Sequence, residues 1–338
     1  MLKNRLVYII LSAFVSVGLL WLLLSQVKTE DVIQTLSRVF IPALLIYAAV
    51  ALVAAWLRAW RYKLLLRPQV ISWPDMFLVT FIRNSLIDLL PARLGSLSYI
   101  YVLNKRLGFP FEAATSSFVL AFVLDFLTLS PFLVVSVIAL GLGANALSTP
   151  TILILAAFFF LLVFLVYWKL LPVARFFLAV LRRILRFGRI EETAAARTVV
   201  NKFELTIQTL DSMQGRGKAI PILVLSFLIR LAKYISVFAL YFGLLRSHGF
   251  SLGDLSFWTF ILGLSGAELS SALPIKGLAG FGTWESAWAL TFRLMDFDPR
   301  LAVLSGIGVH LLSNAFEYSL GIGSILILAW PYLRRKRP

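Results

Sequence analysis

The chain has 338 residues, of which 60% are hydrophobic and only 14% are charged, and its mean hydropathy is +0.90. A soluble domain cannot bury that much apolar surface, so the composition predicts an all-α, polytopic integral membrane protein. The net charge is +16, and the lysines and arginines that produce it lie between apolar segments. This pattern indicates signals that set the membrane topology and attraction to anionic lipid, rather than nucleic-acid binding. The absence of cysteine excludes disulfides and thiol chemistry.

Six apolar segments are expected to cross the membrane as helices, and they are 6–24, 42–57, 111–141, 151–168, 220–245 and 301–330. Lysines and arginines cluster at the start of the chain, after the second segment and at the end of the chain. Cytoplasmic loops carry an excess of such residues, so the pattern predicts a multi-pass protein of the cytoplasmic (inner) membrane with both termini inside. No small-residue cleavage site follows the first segment, so we expect a retained helix rather than a signal peptide.

The region 76–104 is the first place where polar residues interrupt the apolar pattern. The residues that break it are Arg83, Asp88, Pro91, Arg93 and Gly95. Basic residues flank both ends of the region, which favours a re-entrant hairpin that enters and leaves on the cytoplasmic side. Two interpretations fit the charges: they pair with one another structurally, or Arg93 binds a phosphate through its guanidinium fork.

The region 255–295 is the second interruption, and its breaking residues are Pro274, Lys276, Gly280, Gly282 and Glu285. Irregular backbone at membrane depth is tolerated only where protein or a water-filled cavity satisfies its polar groups, so we expect this region to line a cavity. Because it must begin and end outside, we predict a second re-entrant hairpin from the opposite face, an arrangement typical of inverted-repeat transporters. Glu285 either couples protons or caps the broken helix, with Lys276 as its expected partner.

The segment 172–219 is the only long polar stretch. It begins with apolar residues at helical spacing, interleaved with arginines, which predicts a basic amphipathic helix on the inner membrane surface. The segment is interpreted either as a solvated connector or as a surface that captures lipid headgroups. It divides the chain into an N-terminal membrane half, 1–171, and a C-terminal membrane half, 220–338, for which an inverted pseudo-repeat is a hypothesis.

Two short motifs carry a resemblance to a known family. The first is Pro91-Ala92-Arg93-Leu94-Gly95, and the second runs from Leu273-Pro274 to Gly280-Phe281-Gly282-Thr283-Trp284-Glu285. In these motifs the chain resembles the flippase-like membrane family of the lysylphosphatidylglycerol synthase transmembrane region, which includes the N-terminal part of bacterial multiple-peptide-resistance proteins. The resemblance implies translocation of a lipid or lipid-linked headgroup by a stand-alone member without the synthase domain. Members often carry Glu-Arg before the aspartate that corresponds to Asp125, whereas this chain has Val123-Leu124, so its substrate can differ.

Charged residues inside apolar segments are the remaining candidates for a site. Each costs about 2.5–3.5 kcal/mol at that depth, so such residues are expected to face a partner or a wet cavity. We predict headgroup binding by Arg83, Arg93 and Lys276. We predict cavity lining or ion coupling by Asp88, Asp125, Glu268, Glu285 and Glu317.

Two further groups have simpler interpretations. Arg230 and Lys233 are expected to extend to the cytoplasmic interface, and His310 is expected to bond a neighbour, as part of a polar relay with Glu268 and Glu317. Close helix packing is the expected role of four small residues in the last segment, and they are Gly306, Gly308, Gly321 and Gly323.

No catalytic, nucleotide-binding or metal-binding signature occurs, so we expect neither an enzyme nor a cofactor or metal site. The first hypothesis is a lipid transporter, or flippase, for an anionic phospholipid or polyprenyl-linked lipid. The alternative is a non-transporting membrane protein that presents lipid to a glycosyltransferase or lipid-modifying enzyme; intramembrane enzyme chemistry has the least support. The expected partners are membrane lipids, and oligomerisation stays open.

Overall fold

The computed structural model describes residues 17–19, 21–87, 95–141, 168–188, 192–214, 219–270 and 277–335, with single positions between 150 and 165. This part of the chain is helical and contains no strand, which confirms the predicted all-α class for it. Its helices are α1 Thr29–Ser37, α2 Ile41–Leu65, α3 Trp73–Leu86, α4 Ser98–Tyr101, α5 Phe111–Gly141, α6 Leu170–Phe187, α7 Ala194–Gln214, α8 Ala219–Leu245, α9 Phe257–Ser270, α10 Thr283–Arg293 and α11 Pro299–Arg335.

Four of the described helices are long and apolar enough to cross a membrane: Ile41–Leu65, Phe111–Leu140, Ile220–His248 and Pro299–Trp330. They correspond to four of the six predicted spans. The other two predicted spans, 6–24 and 151–168, lie largely outside the described residues. The second predicted span ends too early, because α2 continues eight residues beyond Leu57 and carries Arg58 and Arg61 inside the helix.

Helices α2 and α8 form the central pair and run antiparallel. At one end the Phe40 N–H donates to the Gly243 carbonyl over 2.9 Å, and at the other end the Arg61 guanidinium donates to the Ser226 hydroxyl over 2.9 Å. A Cβ at Gly243 would lie 3.0 Å from the Ala43 Cβ, so the small residues allow the two backbones to approach closely.

The first hairpin comprises α3, the return of the chain at Gly95, and α4 with the π-turn Val102–Arg106. The Ser72 hydroxyl caps α3 by accepting from the Asp75 N–H. The chain comes back against the end of α3, because a Cβ at Gly95 would overlap the Leu86 carbonyl. Residues 88–94 lie outside the described part. That this hairpin is re-entrant, and the face from which it enters a membrane, stay predictions.

The second hairpin comprises α9, the short 3-10 turn Leu278–Gly280, and α10. Its helices pack antiparallel, with Gly263 against the Phe292 ring and Gly266 against the Thr291 side chain. The predicted break in the helix is present, since Gly280 and Gly282 have φ values of +83° and +85°, which favour glycine. Residues 271–276 lie outside the described part, and the entry face again stays a prediction.

Helix α11 packs against both hairpins and the central pair. A Cβ added at Gly306 would lie 2.8 Å from Trp288, and one added at Gly308 would lie 2.8 Å from Leu244. A Cβ added at Gly321 would overlap the Ser85 side chain. The predicted role in close packing is therefore confirmed at these three glycines. It is not supported at Gly323, where a Cβ would meet none of the described residues within 4 Å.

The connector forms a second pair of helices, α6 and α7. The Arg182–Glu204 and Arg175–Asp211 ion pairs join these helices, and the Ser116 hydroxyl of α5 donates to the Thr206 carbonyl of α7 over 2.9 Å. Helix α6 buries Leu178 and leaves large apolar side chains exposed, namely Phe176, Phe177, Ile184 and Phe187. Its attachment to a membrane surface stays a prediction.

Candidate functional site

A cavity of about 150 Å³ lies between the two hairpins, the central pair and helices α5 and α11. The ionisable side chains that line it are Tyr47, Arg58, Arg83, Asp125, Arg230, Lys233, Glu268, His310 and Glu317. Charged groups inside a bundle of apolar helices need partners or water, because burying an unpaired charge is costly. The way in which each charge is satisfied therefore indicates what the cavity can bind.

Asp125 of α5 is the anion at the centre of the first group. Its Oδ1 lies 2.7 Å from Nη1 of Arg61, which is fully buried in α2, and its Oδ2 lies 4.0 Å from Nη2 of Arg83 at the end of α3. Arg61 also donates to the Ser226 hydroxyl of α8. One carboxylate thus ties three helices together, and its short contact is with Arg61 rather than Arg83.

Arg58 and Arg83 share the side-chain oxygen of Asn84, over 3.4 Å and 3.1 Å. Their Nε atoms are buried and have no hydrogen-bond partner among the residues that the structure describes. Within the same set of residues, no carboxylate lies within ion-pair distance of Arg58. Two guanidinium groups at this end of the cavity therefore retain donor capacity.

Glu268 of α9 is the anion of the second group. It lies 2.8 Å from Arg230 and 2.7 Å from Lys233, both on α8. Arg230 also donates to the Asp125 backbone carbonyl over 2.5 Å. The prediction that Arg230 extends to the interface is wrong, because its side chain is only 10% exposed and bridges α8, α9 and α5. Lys233 is directed towards the same carboxylate.

Glu285 and His310 form a third, buried group. The Glu285 Oε1 lies 2.6 Å from the His310 Nδ1, while its Oε2 accepts the Gly282 N–H over 2.8 Å at the start of α10. The imidazole is stacked on Trp284 at 4.8 Å and lies 4.7 Å from the Phe281 ring centroid. Glu285 therefore caps the broken helix, as one of its two interpretations predicted.

The structure brings many of the predicted residues together. Those that line the cavity are Arg83, Asp125, Glu268 and Glu317, with Glu285 behind its wall through His310. Gly95, Gly280 and Gly282 lie at the breaks in the two hairpins. Predictions for the following residues fall outside the described part: Asp88, Pro91, Arg93, Pro274 and Lys276.

The residues of the site that were not among the candidates include Arg58, Arg61 and Asn84. The sequence interpretation assigned the two arginines to a cytoplasmic basic cluster, since basic residues often mark the end of a span. The missed signal was that apolar and aromatic residues continue between the basic ones after Leu57, and the helix continues to Leu65. Asn84 carried no signal of its own beside Arg83.

Comparison with known proteins gives one match. A family model described as the lysylphosphatidylglycerol synthase TM region matches residues 9–321, a range that includes every residue that lines the cavity. No curated protein and no solved structure matches the chain. Together with the spanning helices, the match makes the chain a membrane protein of a lipid-related family. The chain belongs to the family of the lysylphosphatidylglycerol synthase transmembrane region.

Proposed function

We propose that this protein is a lipid transporter, a flippase that moves the headgroup of an anionic phospholipid or polyprenyl-linked lipid between the two leaflets. The observation that carries the proposal is the charge of the cavity. Five cationic side chains at or beside it, Arg58, Arg61, Arg83, Arg230 and Lys233, meet four carboxylates, Asp125, Glu268, Glu285 and Glu317. A cavity with a cationic surplus inside an apolar bundle is suited to an anion.

The phosphate of the headgroup binds between Arg58 and Arg83. A guanidinium presents two parallel N–H groups that match two phosphate oxygens, and the buried Nε atoms of both residues lack partners within the described structure. Asn84 accepts from both side chains and so holds the two forks beside each other. Arg61 is a positioning residue, because its short contact with Asp125 keeps that carboxylate away from Arg83.

The two broken hairpins border the cavity and are the elements that open it. In transporters with such hairpins, one repeat moves against the other around a fixed site near the midplane. The headgroup crosses through the cavity while the acyl or polyprenyl chains stay in lipid. No bond is made or broken in this process, so the protein acts as a transporter and not as an enzyme.

We place the protein in the cytoplasmic (inner) membrane with both termini inside. This proposal is supported by the lysines and arginines near the start of the chain, in the connector and at its end, since cytoplasmic segments carry such residues in excess. The two hairpins then enter from opposite faces, the first from the cytoplasm and the second from outside.

The experiment is mass spectrometry of the lipids that co-purify with the wild type and with Arg58→Ala and Arg83→Ala. We expect one anionic lipid class to be enriched in the wild type and reduced about tenfold or more in each variant, because a charge-assisted hydrogen bond contributes about 1.5–3 kcal/mol. Lys105→Ala, an exposed change at the end of the first hairpin, is the matched control and retains the lipid. The same bulk lipid in all four proteins contradicts the proposal.

The second candidate function is a membrane partner that presents lipid to a lipid-modifying enzyme or glycosyltransferase. The exposed apolar and basic face of α6 favours it, because such a face suits a docking surface as well as a lipid surface. Arg183→Glu changes this exposed face without breaking the two ion pairs to α7. The docking function predicts loss of activity in this variant with normal lipid content, whereas the transport function predicts normal lipid movement.

A further inference from the structure

The Glu285–His310 pair has more hydrogen-bonding groups than a helix cap requires. One carboxylate oxygen of Glu285 is sufficient to accept the Gly282 N–H at the start of α10. The second oxygen is bonded to an imidazole on a different helix, and both side chains are buried, with Glu285 fully enclosed. Burying an ionisable pair costs free energy, so the pair is not explained by capping alone.

The imidazole is the part of the pair that reaches the cavity. His310 lines the cavity wall, and its ring is stacked on Trp284, with Phe281 beside it. The ring edge faces the break of the second hairpin, since a Cβ at Gly280 would lie 3.5 Å from its Cε1 and 3.6 Å from its Nε2. A proton that arrives from the cavity therefore binds next to the irregular backbone that precedes α10.

We propose that the Glu285–His310 pair binds one proton when the cavity binds an anionic headgroup, so that lipid movement is coupled to a proton gradient. This inference rests on the proposed transport function and names its coupling ion. With a neutral imidazole the pair carries one negative charge, and proton binding at the imidazole makes it neutral overall. An anion in the same cavity favours that change, because two negative charges in a poorly screened environment repel each other.

Other charged groups also face the cavity and contribute to the proton affinity. They are Arg230 and Lys233 of α8, Glu268 of α9, Asp125 of α5, Arg58 of α2, Arg83 of α3 and, on the same helix as His310, Glu317. Asp125 is bonded to Arg61, and Glu268 is bonded to two cations, so each of these carboxylates already has a cationic partner. Among the residues that the structure describes, the Glu285–His310 pair has no cation partner of its own, and we therefore assign the proton to this pair.

The chain is suited to a direct test, because it contains only two histidines, His248 and His310. The full-length protein with ¹⁵N-labelled histidine is placed in nanodiscs of phosphatidylcholine, with or without phosphatidylglycerol, and its imidazole resonances are followed by NMR against pH. His248→Asn assigns the two sets of resonances. In the wild type, His248 lies outside the cavity, bonded to Thr35, and reports any effect of surface charge on local pH.

We expect phosphatidylglycerol to increase the fraction of cationic His310 imidazole at a given pH, and to change the His248 resonances less. The proposal is overturned if the His310 resonances do not change with pH. It is also overturned if the midpoint of their change is the same with and without phosphatidylglycerol. If anionic lipid co-purifies through Arg83 but the His310 midpoint stays fixed, only the coupling is overturned. If no anionic lipid is bound, transport and coupling are overturned together.

A variant separates proton binding from a structural role. Glu285→Gln has nearly the same shape, can still accept the Gly282 N–H and can donate to the other His310 tautomer, so the helix cap is retained. We expect Glu285→Gln to fold and bind lipid, but to lose the acceleration of lipid movement by a pH gradient across reconstituted vesicles. A normal response to the gradient in this variant contradicts the proposal.

Discussion

The two hairpins on either side of the cavity differ in how their polar groups are satisfied. At the end of the first hairpin, Arg83 shares one amide oxygen with Arg58, and both Nε atoms lack partners within the described structure. In the second hairpin, Glu268 has two cations and Glu285 has both a backbone N–H and an imidazole. The first hairpin therefore presents donors with spare capacity, and the second presents acids that are already bonded.

This difference separates ligand binding from coupling. A buried donor without a partner costs about 1–3 kcal/mol, so its retention is explained where a ligand satisfies it. In the proposed coupling, the acid that is bonded at the break of the second hairpin, Glu285, binds the proton together with His310. The two hairpins also close differently, because Gly95 packs against backbone and Gly263 packs against the Phe292 side chain.

The largest expected effect comes from filling these glycine contacts. Gly95→Ala places a methyl group on the Leu86 carbonyl, which is part of the backbone and cannot move aside, so we expect a loss of stability at or above the upper end of about 1–3 kcal/mol. Gly263→Ala meets the Phe292 ring, a side chain that can rotate, so its expected loss of stability falls at the lower end of this range. Thermal unfolding in detergent measures both.

The control for this comparison is Gly323→Ala, in the middle of α11, where a Cβ meets nothing within 4 Å. Alanine there should be neutral or stabilise by up to about 1 kcal/mol, because glycine is unfavourable inside a helix. Equal losses at Gly95 and Gly263 would remove the distinction between a backbone closure and a side-chain closure.

The next effect concerns the two central carboxylates. Asp125→Asn leaves the fully buried Arg61 without its anion, and removal of one partner of a buried ion pair costs about 3–5 kcal/mol. Glu268→Gln costs less, because Arg230 keeps its bond to the Asp125 carbonyl and Lys233 is 39% exposed and can reach water. Chemical unfolding of both variants tests this order, with the exposed Asp211→Asn as a reference of small effect. A larger loss for Glu268→Gln would contradict it.

A moderate effect is expected from lysine at the two arginines of the binding site. Arg58→Lys and Arg83→Lys keep the charge but lose the planar fork, so we expect headgroup binding to weaken about tenfold, less than in the alanine variants. Titration of the detergent-solubilised protein with a short-chain anionic lipid measures the affinity. Equal binding by arginine and lysine would show that charge alone recognises the headgroup.

The smallest effect belongs to an exposed ion pair outside both hairpins. Asp31 of α1 lies 2.6 Å from Arg300, and this bond holds the pKa of the Asp31 carboxyl below its ordinary value of 3.8. A carboxyl whose pKa is lowered in the folded state stabilises the fold at pH values above its pKa in the unfolded state. This contribution is lost as the pH falls through the pKa of the folded state.

Asp31→Asn should therefore lower the melting temperature slightly at pH 7 and make no difference in acid below the folded pKa. Calorimetry at the two pH values checks this, and a gap that widens in acid would contradict the assignment.

The sequence predicts the class of the fold well, since long apolar runs show where spanning helices lie and charged interruptions show where they break. The resemblance in the two motifs likewise agrees with the family match over residues 9–321. The end of the second span was wrong because basic residues usually mark an interface. Arg61 is buried instead, since a carboxylate on a distant helix offers it an ion pair.

The partners inside the cavity could not be predicted, because they depend on how helices pack. Arg230 and Glu268 are 38 residues apart in the chain, and Glu285 and His310 are 25 residues apart. No local spacing relates these residues, so each charge suggested a cavity without indicating which group would satisfy it. Arg58 and Asn84 became candidates only when α2 and the end of α3 were seen together.

The most direct test of transport is the movement of fluorescent phosphatidylglycerol between leaflets of reconstituted vesicles, measured by dithionite quenching. We expect the wild type and Lys105→Ala to move the lipid at the same rate, and Arg58→Ala and Arg83→Ala to move it at least about tenfold more slowly. A wild type that is no faster than Arg83→Ala, with all proteins equally folded and inserted, would contradict the proposal that the cavity carries the headgroup.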